Sequence, residues 1–155
     1  MLTYIKKDIA TVTRGVVAHG VNCQGVMGSG VAKCLRDKHP SIFTKYHELC
    51  EIYKRKNNAG YLLGIVDFAT INSELIIANC FTQEYYGRTG AKFAKLEAVE
   101  ESVHNALDLA DALGLPFYMP KIGCGLGGLS WSTEVEPVMK TLSKQYGTAV
   151  FVCEQ

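Results

Sequence analysis

The stretch from Pro120 to Trp131, PKIGCGLGGLSW, constrains this chain more than any other. Its glycines at 123, 125, 127 and 128 follow a short apolar run, LPFYMP, and precede a segment with helical spacing. A second stretch, NCQGVMGSGVA at 22–32, has the same grammar, since it follows the apolar run GVVAHGV and opens toward another helical segment. Glycine at such positions lets backbone N–H groups approach an anion with no Cβ in the way. A helix N-terminus adds partial positive charge aimed at the same place. Two such loops at strand ends in one α/β domain would form a single crevice beside the sheet.

The rest of the chain supplies that domain. Residues 1–5 read as an edge strand and 15–21 as a buried one. GVAKCLRDKH has helical spacing until Pro40, and a second helix starts at Pro40–Ser41 with Ile42, Phe43, Tyr46 and Leu49 on one face. YLLGIVDFAT and ELIIANCF read as two strands joined by INS in a hairpin. The clearest helix is predicted from about Lys92 to Leu113. Phe93, Leu96, Val99, Val103, Leu107 and Ala110 recur there at steps of three and four, and Gly114 caps its end. The strand PFYM, a helix from about Ser132 to Gln145 and a last strand, TAVFVCE, complete the order. Strands alternating with helices predict one domain over 1–155, a three-layer α/β/α fold with a mixed central sheet.

With 48% hydrophobic residues the chain can bury a sizeable core, and a formal net charge of +1 gives no nucleic-acid footprint. KRK at 54–56 sits beside NN and reads as a solvated helix end. No apolar leader and no run of membrane-spanning length are seen, so a soluble, cytoplasmic protein is expected. The six cysteines, at 23, 34, 50, 80, 124 and 153, show no CxxC pair, and buried reduced thiols are expected.

A diphosphate suits a crevice lined by two glycine loops. The spacing Gly123-x-Gly125-x-x-Gly128 fits a dinucleotide fingerprint, but only one helix and one strand follow it, and the nearest strand-end acid is Glu154. A kinase-type phosphate loop is excluded because no Gly-Lys-Ser/Thr triplet exists.

Four segments, KKDIAT, AHGVNCQGVMGSGVA, IIANCFTQEYYGR and YMPKIGCGLGGLSW, resemble in order and spacing the signature segments of macrodomains, which are ADP-ribose-binding α/β/α modules. The resemblance spans essentially the whole chain. It implies that Asp8 accepts a hydrogen bond from the adenine amino group, with the Ile9 backbone beside it. Asn22 would reach the distal ribose, and Gly28, Ser29, Gly30 and Val31 would wrap the distal phosphate and ribose. Ile122, Gly123, Cys124, Gly125, Leu126 and Gly127 would close over the diphosphate from the other side. Lys7 stands where the family usually has glycine.

Two branches of the family are similar to this chain. Glycohydrolases that remove ADP-ribose from proteins or DNA share the GVMGxG and GCGxGGLxW segments. Their lysine after the FT strand end is Gln83 here, and the aspartate of protein-deacylating relatives is Gly127. Glutamine cannot form a Schiff base. HGVNC and NCFTQEYYGR instead resemble phosphatases acting on ADP-ribose 1''-phosphate, and that activity is expected. Two catalytic residues are expected: His19, as general acid or water-positioning group unless it is a histidine satisfied by hydrogen bonds beneath the loop, and Asn22, which would orient water or hold the ribose. Arg88 could meet a phosphate, and Tyr85 and Tyr86 could cover the distal ribose. No role is assigned to His39, His47 or His104. The reading needs no cofactor and no metal. Its partner is a small molecule, ADP-ribose or its 1''-phosphate, with nucleic acid only as an ADP-ribosylated substrate. A protein that binds ADP-ribose without acting on it is the remaining alternative.

Overall fold

Every strand of the chain joins one six-stranded sheet, in the order β1-β6-β5-β2-β4-β3, in a computed structural model that describes residues 1–155. The strands are β1 (Leu2–Lys6), β2 (Gly15–Asn22), β3 (Val66–Thr70), β4 (Leu75–Gln83), β5 (Phe117–Met119) and β6 (Val150–Glu154). Five run parallel, and β3 alone is antiparallel, forming the expected hairpin with β4. The mixed sheet and the edge position of β1 match the sequence reading.

Alternation along β2 divides the interior. Val16 and Ala18 enter one core with Val99, Val103, Met139 and Leu142. Val17 and Val21 enter the other with Leu35, Ile42 and Tyr46. The helices α1 (Gly30–Lys38) and α2 (Ser41–Arg55) therefore cover one face, and α3 (Leu96–Leu113) and α4 (Glu136–Ser143) the other. This is the three-layer α/β/α arrangement.

Three boundaries differ from expectation. The segment 59–65 is not strand: Ala59–Leu62 forms a 3-10 turn, and Gly64 at φ +86° breaks the extended run before Val66. α3 starts at Leu96 rather than Lys92, because the preceding amides are spent elsewhere. Ala94 N donates to Gly127 O at 3.0 Å and Lys95 N to Thr82 O at 2.9 Å, so 92–95 braces the sheet end instead of joining the helix. The helix expected from Ser132 opens as a π-helical turn over Trp131–Val135. There Ser130 Oγ accepts from Thr133 N at 3.3 Å, while Glu134 Oε1 accepts from Ser130 N at 2.9 Å.

The topology fixes where a ligand can sit. β2 and β5 are hydrogen-bonded neighbours, yet the chain leaves β2 for α1 on one face and leaves β5 for α4 on the other. Diverging exits from adjacent parallel strands open a crevice at their carboxyl ends.

Candidate functional site: an anion crevice at the ends of the central strands

That crevice has a volume of about 630 Å³. Both glycine loops line it, as the sequence predicts: Gly28, Ser29, Gly30 and Val31 from one side, and Ile122, Gly123, Cys124, Gly125, Leu126 and Gly127 from the other. Asn22 lines it as well, at the β2 end.

Both loops carry backbone donors that the chain itself leaves unpaired. Lys33 N to Ser29 O, at 3.3 Å, is the first bond of α1, and Ser29 makes no side-chain cap. The amides of Gly30, Val31 and Ala32 thus have no acceptor within the chain, as at any uncapped helix start. In the second loop the amides of Gly123, Gly125, Leu126 and Gly127 also lack one. Seven unpaired N–H groups in one crevice form a site for negative charge.

Glycine serves different purposes along these loops. A Cβ at Gly125 would meet nothing within 4 Å, and its φ is not positive, so the fold itself does not demand glycine there. Close approach of a ligand explains it. Gly127 is the opposite case, because a Cβ there would lie 2.6 Å from Gly123 O and 3.0 Å from the Ala94 Cβ. No aspartate fits at 127 without displacing the loop.

Asn22 is turned to its own loop. Its Nδ2 donates to Val26 O at 2.8 Å, and its Oδ1 accepts from Gln24 N at 2.9 Å and lies 2.9 Å from the Tyr46 hydroxyl. The same hydroxyl is 2.8 Å from Asn22 O. His47 on α2 meets Gly25 O at 3.0 Å. α2 therefore holds the 22–26 turn in shape, and Asn22 keeps a single N–H for a ligand.

His19 is not brought to the crevice, and its place is that of a histidine hydrogen-bonded beneath the loop rather than of an acid facing a ligand. It faces the α1/α2 layer, is fully buried, and its Nε2 lies 2.5 Å from Asn79 Oδ1. Asn79 Nδ2 donates to Ile42 O at 3.1 Å and to Asp67 Oδ2 at 3.2 Å, so its Oδ1 must be the acceptor. His19 is then the Nε2–H tautomer, with Nδ1 buried and unpartnered. Burial pushes its pKa down to about 4. Asp67 is paired in turn with Lys45 at 3.0 Å, so a polar ladder crosses β2, β4 and β3 beneath the α2 start.

Asp8 and Ile9 also lie outside the crevice lining. Asp8 caps a 3-10 turn over Ile9–Thr11, its Oδ1 accepting from Ala10 N at 3.0 Å, while Ile9 is buried in the α1-side core. The second Asp8 oxygen has no partner in the chain. From the crevice, Lys121 reaches Glu154 at 3.0 Å, and Glu154 O accepts from Lys7 N at 2.8 Å, so Asp8 follows one residue beyond that edge.

Thr82, Gln83, Tyr86, Arg88 and Lys121 complete the walls. Gln83 stands at the β4 end, and its Nε2 donates to Tyr85 O at 2.7 Å. Tyr86 and Arg88 are sequence candidates, whereas Lys121 is not, although its place between a strand and the glycine loop is the available signal. Tyr85 is exposed and outside the lining. No Asp, Glu or His lines the crevice. All six cysteines are free. Four are buried as expected, Cys153 included among the apolar strands, while Cys34 is exposed on α1 and Cys124 is half-buried in the crevice wall. Burial pushes the Cys124 thiol up to about 11, which leaves it a poor nucleophile. No group of three or more His, Cys, Asp or Glu side chains is placed to hold a metal, and no helix is long and apolar enough to cross a membrane.

Fold and site together define an α/β/α module with a crevice, rich in unpaired amides, at the carboxyl ends of adjacent parallel strands whose exits diverge. The chain belongs to the macro domain family, whose model matches residues 18–139. It is 28% identical over 165 residues to an ADP-ribose 1''-phosphate phosphatase of Meyerozyma guilliermondii, covering 90% of this chain and 92% of that protein. It is also 28% identical over 131 residues to a DNA ADP-ribosyl glycohydrolase of Mycobacterium tuberculosis, covering 84% of this chain but only 36% of the relative's length. A macrodomain protein from Streptomyces coelicolor superposes with a TM-score of 0.80 at 25% identity, covering 100% of this chain and 99% of that one.

Proposed function

We propose that the crevice binds ADP-ribose and that the protein hydrolyses ADP-ribose 1''-phosphate to ADP-ribose and phosphate. The observation that carries the binding is the convergence of unpaired amides from two glycine loops on one space at the β2/β5 divergence. The α1 start and the 123–127 loop each supply donors for a phosphate of the diphosphate. The adenosine end runs past Lys121 and Glu154 toward the free Asp8 oxygen, and the distal ribose lies toward β4.

Two features favour the phosphatase among hydrolytic reactions. Gln83 at the β4 end offers no amine for covalent chemistry at the anomeric carbon. Gly127 has no room for the carboxylate of a protein-deacylating enzyme. In the reaction, water attacks phosphorus, the bond from phosphorus to the anomeric oxygen breaks, and that oxygen leaves with a proton drawn from solvent. With no lining carboxylate or imidazole, the rate gain must come from position and charge. The free Gln83 carbonyl and the remaining Asn22 N–H are the side-chain groups that can orient the water and the ribose.

The same absence of an acid or base favours a second reading, an ADP-ribose reader without hydrolysis. Phosphate release from ADP-ribose 1''-phosphate, measured beside release of ADP-ribose from modified protein and modified DNA, separates the cases. Phosphate release alone supports the proposal. Release of ADP-ribose alone would assign the protein to glycohydrolysis, and binding with neither release would make it a reader.

A further inference from the structure

Among the crevice side chains two are cationic and none is anionic, and the cations stand at opposite ends. Lys121 follows β5 and leans over β6, where Glu154 Oε2 lies 3.0 Å from its Nζ. Its charge is already offset. Arg88 stands beyond β4 and takes part in none of the ion pairs of the chain. The acid four residues before it, Glu84, packs against Gly60, where a Cβ would lie 2.8 Å from its Oε1, and forms no ion pair with Arg88.

The loop that carries Arg88 is anchored although the side chain is exposed. Glu84 O accepts from Cys23 N at 3.1 Å and from Gln24 Nε2 at 3.0 Å, which ties the loop to the 22–26 turn. Gln83 Nε2 holds Tyr85 O, and Gly87 packs so closely on Phe93 that a Cβ would sit 2.8 Å from the ring. The uncompensated full charge of the crevice is thus carried by a tethered loop at one end, past the amides proposed to serve the diphosphate. A guanidinium there matches one more phosphate, which its planar fork can bind through two hydrogen bonds.

We propose that Arg88 is the specificity-determining residue that reads a phosphate on the distal ribose and so separates ADP-ribose 1''-phosphate from ADP-ribose. The proposal rests on the reading above that ADP-ribose lies with its distal ribose toward β4. Competition against a fluorescent ADP-ribose tests it with two probes, ADP-ribose and a non-hydrolysable phosphonate analogue of its 1''-phosphate. The wild-type protein should prefer the phosphonate by roughly tenfold or more at low salt, with the preference shrinking as salt rises. Arg88→Gln should remove that preference while changing ADP-ribose affinity far less, and Arg88→Lys should restore part of it. Equal weakening of both probes by Arg88→Gln, or no change in either, would overturn the assignment. Discrimination without phosphate release would support it while overturning the phosphatase reading. Failure of the wild-type protein to bind ADP-ribose would overturn both.

Discussion

The buried His19 makes acid stability a direct test of the structure. The unfolded chain takes up a proton on this ring as pH falls through 6.5, whereas the native ring does so only near pH 4. Between those values the unfolded state binds more protons, so stability present above pH 6.5 is lost as pH falls, and the loss is complete near pH 4. One pKa unit corresponds to about 1.4 kcal/mol, so going from pH 7 to pH 4.5 should cost on the order of 2–3 kcal/mol through this residue alone. The cause is local. Nε2 already donates to Asn79, and a second proton would place an N–H at Nδ1 with no acceptor in a dry interior. Urea unfolding at several pH values, on the wild-type protein and on His19→Gln, isolates this contribution. Contributions common to the two proteins cancel in the difference. His19→Gln should be less stable at pH 7 yet lose on the order of 2–3 kcal/mol less on going to pH 4.5. Parallel pH profiles for the two proteins, or a His19 ring resonance titrating near pH 6.5, would refute the burial argument. Unchanged phosphate release per folded His19→Gln molecule is expected as well, since the ring does not line the crevice.

Other perturbations report on the loops. Gly125→Glu should leave the fold intact, because a Cβ there meets nothing within 4 Å, yet place a carboxylate in the space proposed for the diphosphate; calorimetry should then detect no ADP-ribose binding. Gly30→Glu is a less clean probe, since φ +62° adds backbone strain, and its melting temperature should fall along with its affinity. Tyr46→Phe removes the hydroxyl that meets Asn22 O and Oδ1, and should cost about 1–3 kcal/mol in denaturant titrations. It should also weaken ADP-ribose binding by loosening the 22–26 turn. Gly127→Asp should destabilise the protein without adding protein deacylation, because its Cβ would lie 2.6 Å from Gly123 O; appreciable ADP-ribose release by a stable variant would contradict that packing.

Much of the site was legible because it is made of backbone. Glycines after an apolar run and before a helical one mark places where N–H groups can be left open, and both loops were found from that local grammar. The alternation of strand and helix, the β3–β4 hairpin and the lack of a lysine at 83 were equally local. What sequence could not determine was direction. Period-two alternation says that Val17, His19 and Val21 share a face of β2, but not whether position 19 opens onto the crevice or onto α2. The packing of Ile42 and Tyr46 against that face decided it, sealing His19 below the site. The sequence points to Asn22 as a ligand contact, yet its bonds to Val26 O, Gln24 N and the Tyr46 hydroxyl, 24 residues away, spend most of its bonding capacity on the turn. The early part of the expected third helix was lost to bonds with Thr82 and Gly127, which no helical periodicity reveals. Most of all, the chain order does not say that β5 lies beside β2. Only the sheet order does, and with helices leaving those neighbours toward opposite faces, two separate glycine loops become the walls of one crevice.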